Sequence, residues 1–269
     1  MWTGHLQLQF ERVGVRTVIA RRRHSGPLLV QRAFHEPDGG CQVYLIHPPG
    51  GVVAGDQLAL ELELQAGSQT LITTPAATKL YASSGARAQL SQHFALAEDA
   101  ILEFLPQETI LYDGARAQST TRVTLAPRSQ FVGWEVLSLG RDEQGFSHGA
   151  FVQHWQIERA GRLLWSERSL LEGGSPLLKA SWGLGGRRVL ATLVGTGAAD
   201  LALDPLREGA QQLGPADDCF SVTRLGEVLV CRYLGYSSEA AKRFFCMAWA
   251  ALRQAVSARK AVPPRIWAT

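Results

Sequence analysis

The sequence is poor in charge, in sulfur and in long apolar runs. Asp, Glu, Lys and Arg make up only 19% of its 269 residues, and there are four cysteines and two methionines. No stretch approaches the roughly 18 apolar residues that a membrane-spanning helix needs. The opening, MWTGHLQLQF, has no basic segment followed by an apolar one, so no export signal is visible and a cytoplasmic location is expected. Cys41, Cys219, Cys231 and Cys246 form no CxxC pair, which removes the spacing of a structural zinc site and leaves free, mostly buried thiols. His5, His24, His35, His47, His93, His148 and His154 include no pair two or four apart, so neither a strand nor a helix offers a ready metal site. A tight metal site and a tightly bound cofactor are therefore not expected. GxxxxGK[ST], HExxH and GxSxG are all absent. Gly195-Thr196-Gly197 follows an apolar strand, but Asp200 stands where the third glycine of a dinucleotide loop belongs. The formal net charge of +3 is too small to demand a nucleic-acid partner. The densest basic run, Arg21-Arg22-Arg23-His24, reads as a solvated strand end.

What remains is a chain with 46% hydrophobic residues, enough to build a sizeable core. Its apolar residues recur with a period of two. Leu58, Leu60, Leu62 and Leu64 alternate with Gln57, Ala59, Glu61 and Glu63, as a half-buried strand requires. Similar segments fall at 5–11, 17–21, 28–32, 42–47, 69–74, 88–96, 100–105, 120–125, 130–137, 151–158 and 163–170. Turn signals such as Pro37-Asp38-Gly39-Gly40 and Asp113-Gly114 separate them. Past residue 198 the pattern changes. Asp204-Pro205 opens a short helix, with Asp as N-cap and Pro at N1. Strands follow at 220–224 and 228–233, then a long helix from about 239 to 258, with Ser237 or Ser238 as N-cap. The expected fold is mainly β, an irregular β-solenoid or layered β-sheets, with about two α-helices in the C-terminal third. No linker divides it, so 1–269 reads as one domain, β-rich through 198 and mixed from 199.

Three segments are unusual for plain strand connections. Ile46-His47-Pro48-Pro49-Gly50-Gly51-Val52-Val53-Ala54-Gly55-Asp56 combines stiffening prolines with permissive glycines. Asp56 reads either as a turn cap or as a carboxylate held out by a rigid backbone. Thr73-Thr74-Pro75-Ala76-Ala77-Thr78-Lys79-Leu80-Tyr81-Ala82-Ser83-Ser84-Gly85 is dense in hydroxyls. Leu105-Pro106-Gln107-Glu108-Thr109-Ile110-Leu111-Tyr112-Asp113-Gly114-Ala115 breaks a strand at Pro106 and turns at Asp113-Gly114.

At these segments the sequence resembles the urease accessory protein family UreD, also called UreH. The family's patterns run close to HPPGGxxxGD, TTPxxxKxYxS and LPQExIxxxGA. Further matches are 134–141 with 145–149, and the C-terminus from Pro264, so the resemblance spans nearly the whole chain. Ala54 and Ala76 replace common glycines, Leu80 an aromatic, Ala82 an Arg and Ser138 a Cys. A shortened segment after Gly140-Arg141 leaves Glu143 to stand in for a familiar glutamate.

The resemblance implies a non-enzymatic scaffold. It would bind UreF directly, reach the nickel-dependent GTPase UreG through UreF, and dock on apo-urease to support nickel insertion. It also implies a β-rich fold with an internal, water-filled passage for nickel(II) in transit. A conduit needs weak, sparse ligands, so a missing metal motif suits it. By motif position, Asp56, Ser83 and Glu167 are the passage candidates. Glu167 also reads as an ion-pair partner of Arg168. Phe244 and Trp249 lie off the main stripe of the long helix, and the apolar tail carries Arg265 and Trp267. These four are expected at the partner interface, favoured as UreF, with a second packed layer the alternative for the two rings and docking on its own domain the alternative for the tail. A rival reading makes the chain a small cytosolic hydrolase or isomerase with Asp56, Glu167 and His148 as acid–base groups, which requires the three to share one cleft. A third is a β-rich, lectin-like binder.

Overall fold

A computed structural model of the chain describes residues 1–140 and 145–268. Arg141, Glu143 and Thr269 lie outside the described residues, and with them the proposed substitute glutamate. The first strands are β1 (Thr3–Val13), β2 (Arg16–Ser25), β3 (Leu29–Val30), β4 (Phe34–His35), β5 (Cys41–Ile46) and β6 (Gln57–Leu64). Next come β7 (Gln69–Thr73), β8 (Thr78–Leu80), β9 (Ala88–Leu96), β10 (Ile101–Phe104), β11 (Thr109–Leu111) and β12 (Arg116–Leu125). β13 (Gln130–Leu139), β14 (Ala150–Arg159) and β15 (Arg162–Glu172) follow, then α1 (Pro176–Lys179), β16 (Val189–Gly195) and α2 (Asp204–Gln211). β17 (Cys219–Leu225), β18 (Val228–Gly235) and α3 (Ser238–Ser257) complete the set, before a 3-10 turn at Arg265–Ala268.

The strands form two sheets. The first has seven strands in the order β15-β14-β12-β9-β6-β1-β2. The second has eleven, with a main path of β17-β18-β16-β13-β10-β7-β5-β3. In the first, β1, β6, β9, β12 and β14 run parallel; in the second, β5, β7, β10 and β13 do. Parallel neighbours cannot be joined by a hairpin. Here each crossover is itself a strand of the opposite sheet, so the chain winds as a β-solenoid. Stacking aligns like with like. Leu8, Leu62, Phe94, Val123 and Ile157 form one ladder across the first sheet, all buried. Cys41, Thr70, Leu102 and Phe131 form another across the second. Burying each large apolar side chain contributes about 1.5–3 kcal/mol. The free edge, β2, carries Arg21, Arg22 and Arg23 exposed, and charge at an edge discourages pairing with another chain.

The second sheet is covered on its other face as well. α3 lays Ala241, Phe244, Phe245, Ala248, Trp249 and Leu252 on Trp134, Val136, Leu193, Leu229 and Cys231. The Ser237 hydroxyl caps the helix, accepting from the Ala240 N–H at 3.1 Å. Trp267 of the tail packs between Trp134 and Trp249, with ring centroids 5.7 and 6.0 Å away, and donates from Nε1 to Thr73 Oγ1 at 2.9 Å. Beneath α3, the guanidinium of Arg253, 2% exposed, pairs with Glu36 and Glu103. Arg259 pairs with Glu36 and Asp38, and the Trp249 indole donates to Glu103 Oε1 at 2.6 Å.

Some expectations change. Asp204 is inside α2 rather than its N-cap: Leu203 holds that place and no side chain caps the helix. The four-residue α1 was not anticipated, because Gly173-Gly174-Ser175-Pro176 reads only as a loop. Phe244 and Trp249 are fully buried, so the rings expected to face a partner are consumed by the chain's own core. α3 is covered on more than one side, by the sheet, by α2 and by the tail, and a single stripe underestimates such burial.

Truncating Arg253 to Ala leaves buried Glu103 without its cation, while Glu36 keeps only Arg259. Loss of one partner of a buried pair costs about 3–5 kcal/mol. The Arg253→Ala chain is expected to unfold at markedly lower urea, and a midpoint unchanged from wild type would show that the network carries no net stability.

Candidate functional site

The inward ladders are not apolar throughout. Two residues back from the Leu62 ladder, Leu60, Gln92, Thr121 and Trp155 stack; two residues further back, Leu58, Leu90, Ser119 and Gln153 do. Gln92 Oε1 accepts from Thr121 Oγ1 at 3.0 Å. Opposite them, the second sheet is interrupted. The second and third proline-bearing segments, TTPAAT and LPQE, separate β7 from β8 and β10 from β11, because proline has no N–H for the ladder. The HPPGG segment makes a tight turn, with the Gly50 N–H on the His47 carbonyl at 3.2 Å and Gly50 at φ +75°.

The result is a cavity of about 330 Å³ between the sheets, with room for several waters. All three unusual segments line it, through His47 and Val52, Thr74 and Lys79, and Pro106 and Thr109. Its lining reaches the surface at Gly50 and Ala76. A second cavity, of about 250 Å³, adjoins the exposed Cys219 and Arg232. Glu135 and Trp155 line both, so the two spaces meet at one carboxylate.

Glu135 sits on β13 where the neighbouring residues of the strand are buried and apolar. Gln153 Nε2 donates to its Oε2, and the Trp155 indole N–H does so at 3.3 Å. The area it retains faces the two cavities. Burial pushes its carboxyl up to about 7, against the pull of the Trp155 N–H. Beyond it, Thr192 and Arg232 continue the same ladder across β16 and β18. Arg232 forms a bidentate pair with Glu167, with Nη1 to Oε1 at 3.0 Å. That pair joins the two sheets across the outer cavity. His47 lines the inner cavity, and its Nε2 is buried without a hydrogen-bond partner. Burial holds its pKa below the ordinary histidine value, although the charge of Asp56 pulls it upward.

The sequence candidates separate. Glu167 lines the outer cavity, paired with Arg232 rather than Arg168. Asp56 is buried as a cap, accepting from the N–H of Trp2 at 2.6 Å and of Val53 at 3.0 Å. Ser83 donates to the Ala86 carbonyl at 2.9 Å within a surface turn. His148 is exposed and paired with Asp113 at 2.9 Å. The cavity that Glu167 lines includes neither Asp56 nor His148, so the three residues of the acid–base reading do not meet there. Arg265 is exposed, whereas Trp267 is partly buried against its own core. Sequence reading passed over Glu135, although a lone acid in the apolar run Val132-Gly133-Trp134-Glu135-Val136-Leu137 was a usable signal. Among the described residues no cluster of three or more His, Cys, Asp or Glu could hold a metal, and no helix is long and apolar enough to cross a membrane.

The raised pKa of Glu135 fixes a sign for stability. In the unfolded chain the carboxyl ionises near 4.5, so the folded state holds the proton more tightly. Stability from this group is therefore complete at low pH and falls as pH rises from about 4.5 to about 7, by about 3 kcal/mol at most. Urea titrations across that window are expected to show this loss in wild type and not in Glu135→Gln. Parallel pH slopes in the two proteins would show an ordinary carboxylate.

The family model of the UreD urease accessory protein matches residues 3–268. A protein of Azoarcus sp. (strain BH72) named urease accessory protein UreD is 43% identical over 273 residues, covering all of this chain and 94% of that protein. The protein of the same name from Pseudomonas putida (strain KT2440) is 43% identical over 272 residues, covering all of this chain and 95% of its own length. That from Dechloromonas aromatica (strain RCB) is 42% identical over 273 residues, again with full coverage of this chain and 95% of the relative. With the match running through every segment that lines the inner cavity, the chain belongs to the UreD family of urease accessory proteins.

Proposed function

We propose that the chain is a non-catalytic scaffold of urease maturation whose interior passes nickel(II) toward apo-urease. It works in the cytoplasm, binds UreF directly, and reaches the GTPase UreG through UreF. The observation that carries this reading is the meeting of two cavities at Glu135, with exposed residues at the far side of each. A cation crossing between the sheets finds carboxylate oxygen at Glu135 and again at Glu167. Carboxylate and imidazole are both accepted by nickel, and one oxygen ligand at a time is too weak to hold the ion. Glu167 is paired with Arg232 at the outer cavity, so passage there requires that ion pair to open. On the partner side, Arg265 keeps the exposure that an interface residue needs; Phe244 and Trp249 do not.

The test is coexpression of urease and its accessory proteins with Glu135→Gln or Glu135→Leu in place of wild type. Size-exclusion chromatography is expected to show an intact complex with UreF. The nickel content of the purified urease is expected to fall by roughly tenfold, the lower end of what loss of a metal-tuning group costs. Full nickel content in the Glu135→Leu background would remove the passage from the proposal.

A further inference from the structure

The inner cavity contains one metal-ligating group of a different chemistry, and nothing in the fold explains it. His47 lines this space from the turn made by Pro48, Pro49 and Gly50. Buried polar atoms are nearly always hydrogen-bonded, and an orphan costs free energy. Yet Nε2 of His47 is buried and has no partner. The backbone that carries the ring is fixed, because two prolines follow it and the carbonyl of His47 is held by the Gly50 N–H. A neutral imidazole carries a lone pair on one ring nitrogen, which is the form that ligates a metal. Nearby charge is mixed. Asp56 acts on the ring as an anion, while Lys79 lines the same cavity as a cation. Opposed charges make for a site that is occupied and then vacated.

We infer that His47 is a ligand station within the inner cavity for a divalent transition-metal ion of the kind that accepts imidazole, and that it discriminates such ions from magnesium and calcium. This rests on the passage reading and adds selectivity to it. Magnesium and calcium take oxygen ligands, whereas nickel, cobalt, copper and zinc take imidazole readily. A passage lined only by carboxylate, hydroxyl and amide groups would admit the abundant oxygen-seeking ions equally well. One unpaired imidazole lowers the free energy of the transition metal alone. Copper and zinc would also bind, so the station sorts by class and leaves the choice within the class to whatever loads the passage.

The test is a nickel titration of the full chain in complex with UreF, with UreF alone as the blank. Two surface histidines that pair with carboxylates, His5 with Glu61 and His148 with Asp113, are first changed to Gln. In that background nickel is expected to bind with an X-ray absorption signature of imidazole. His47→Gln is expected to weaken nickel roughly tenfold, and magnesium at the same concentrations is expected to displace none. Unchanged nickel affinity in His47→Gln would overturn the inference. So would a nickel spectrum without imidazole, which needs no His47 variant at all, or equal competition by magnesium. The two readings fail separately. If Glu135→Gln starves urease of nickel while His47→Gln binds it normally, the passage stands and the station falls. If urease is loaded fully through Glu135→Leu while His47 ligates nickel, the station stands and the passage falls.

Discussion

Side chains in a strand alternate between faces, and parallel stacking puts equivalent positions of successive coils in line. Everything inside this molecule depends on that pair of constraints. The ladder of Leu62, Phe94, Val123 and Ile157 fills the space between the sheets and closes it. The adjacent ladders carry Gln92, Thr121, Ser119 and Gln153 at the same depth, and there the space stays open. The polar groups cannot leave the interior without turning their strands over, since a slip of one residue would expose Leu62 and Phe94. The core therefore fixes the cavity, and the cavity needs no separate scaffold.

The outer face of the second sheet makes the same cavity firm. Lys242 of α3 pairs with Gln107 and Glu108, in the segment that breaks β10 from β11. The Gln107 N–H donates to Thr74 Oγ1, which joins that segment to the break between β7 and β8. Trp267 holds Thr73 from the same side. Loops that interrupt a sheet are ordinarily its mobile parts. Here a buried helix and the C-terminal tail brace both interruptions from behind. That is also why the aromatic residues of the helix and tail have so little surface left for a partner: their surface is used to hold the wall.

Much of the fold was legible in the sequence, because the period of two is strong in segments such as Gln57–Leu64. The helix α3 was legible through Ser237 and its apolar stripe. The solenoid was legible as one of two architectures, beside layered sheets, and the sequence could not choose between them, since successive coils share register without sharing residues: Leu60, Gln92, Thr121 and Trp155 occupy one ladder. Three-residue strands such as β8 and β11 carry too few residues to show a period. Within the molecule, the three motif segments all line the inner cavity, while Asp56 and Ser83 do not. Asp56 and Ser83 are the conspicuous polar residues of their motifs, and both are taken up by backbone groups, Asp56 by the N–H of Trp2 and Val53 and Ser83 by the carbonyl of Ala86. Glu135 and His47 are inconspicuous in sequence, and only the crossing of coils sets them against a shared space. Burial of Phe244 and Trp249 could not be read from one helix face, because it depends on α2 and a tail distant in sequence.

A buried carboxyl near neutrality has a use that an ordinary carboxylate lacks. A permanently ionised Glu135 facing two cavities would attract a dication at every pH, and a permanently neutral one would offer it little. In the passage proposed above, a carboxyl with its pKa raised to about 7 would exchange its proton for a metal ion. On that proposal, arrival of a dication would displace the proton, and return of the proton would help release the ion. The hydrogen bonds from Gln153 and Trp155 keep one oxygen oriented in both states. A passage of this kind does not require a chain of tight sites, whose depth would slow transfer in proportion to their affinity. It requires one group whose charge follows its occupant, placed where two spaces meet, and the stacked coils supply that placement at Glu135.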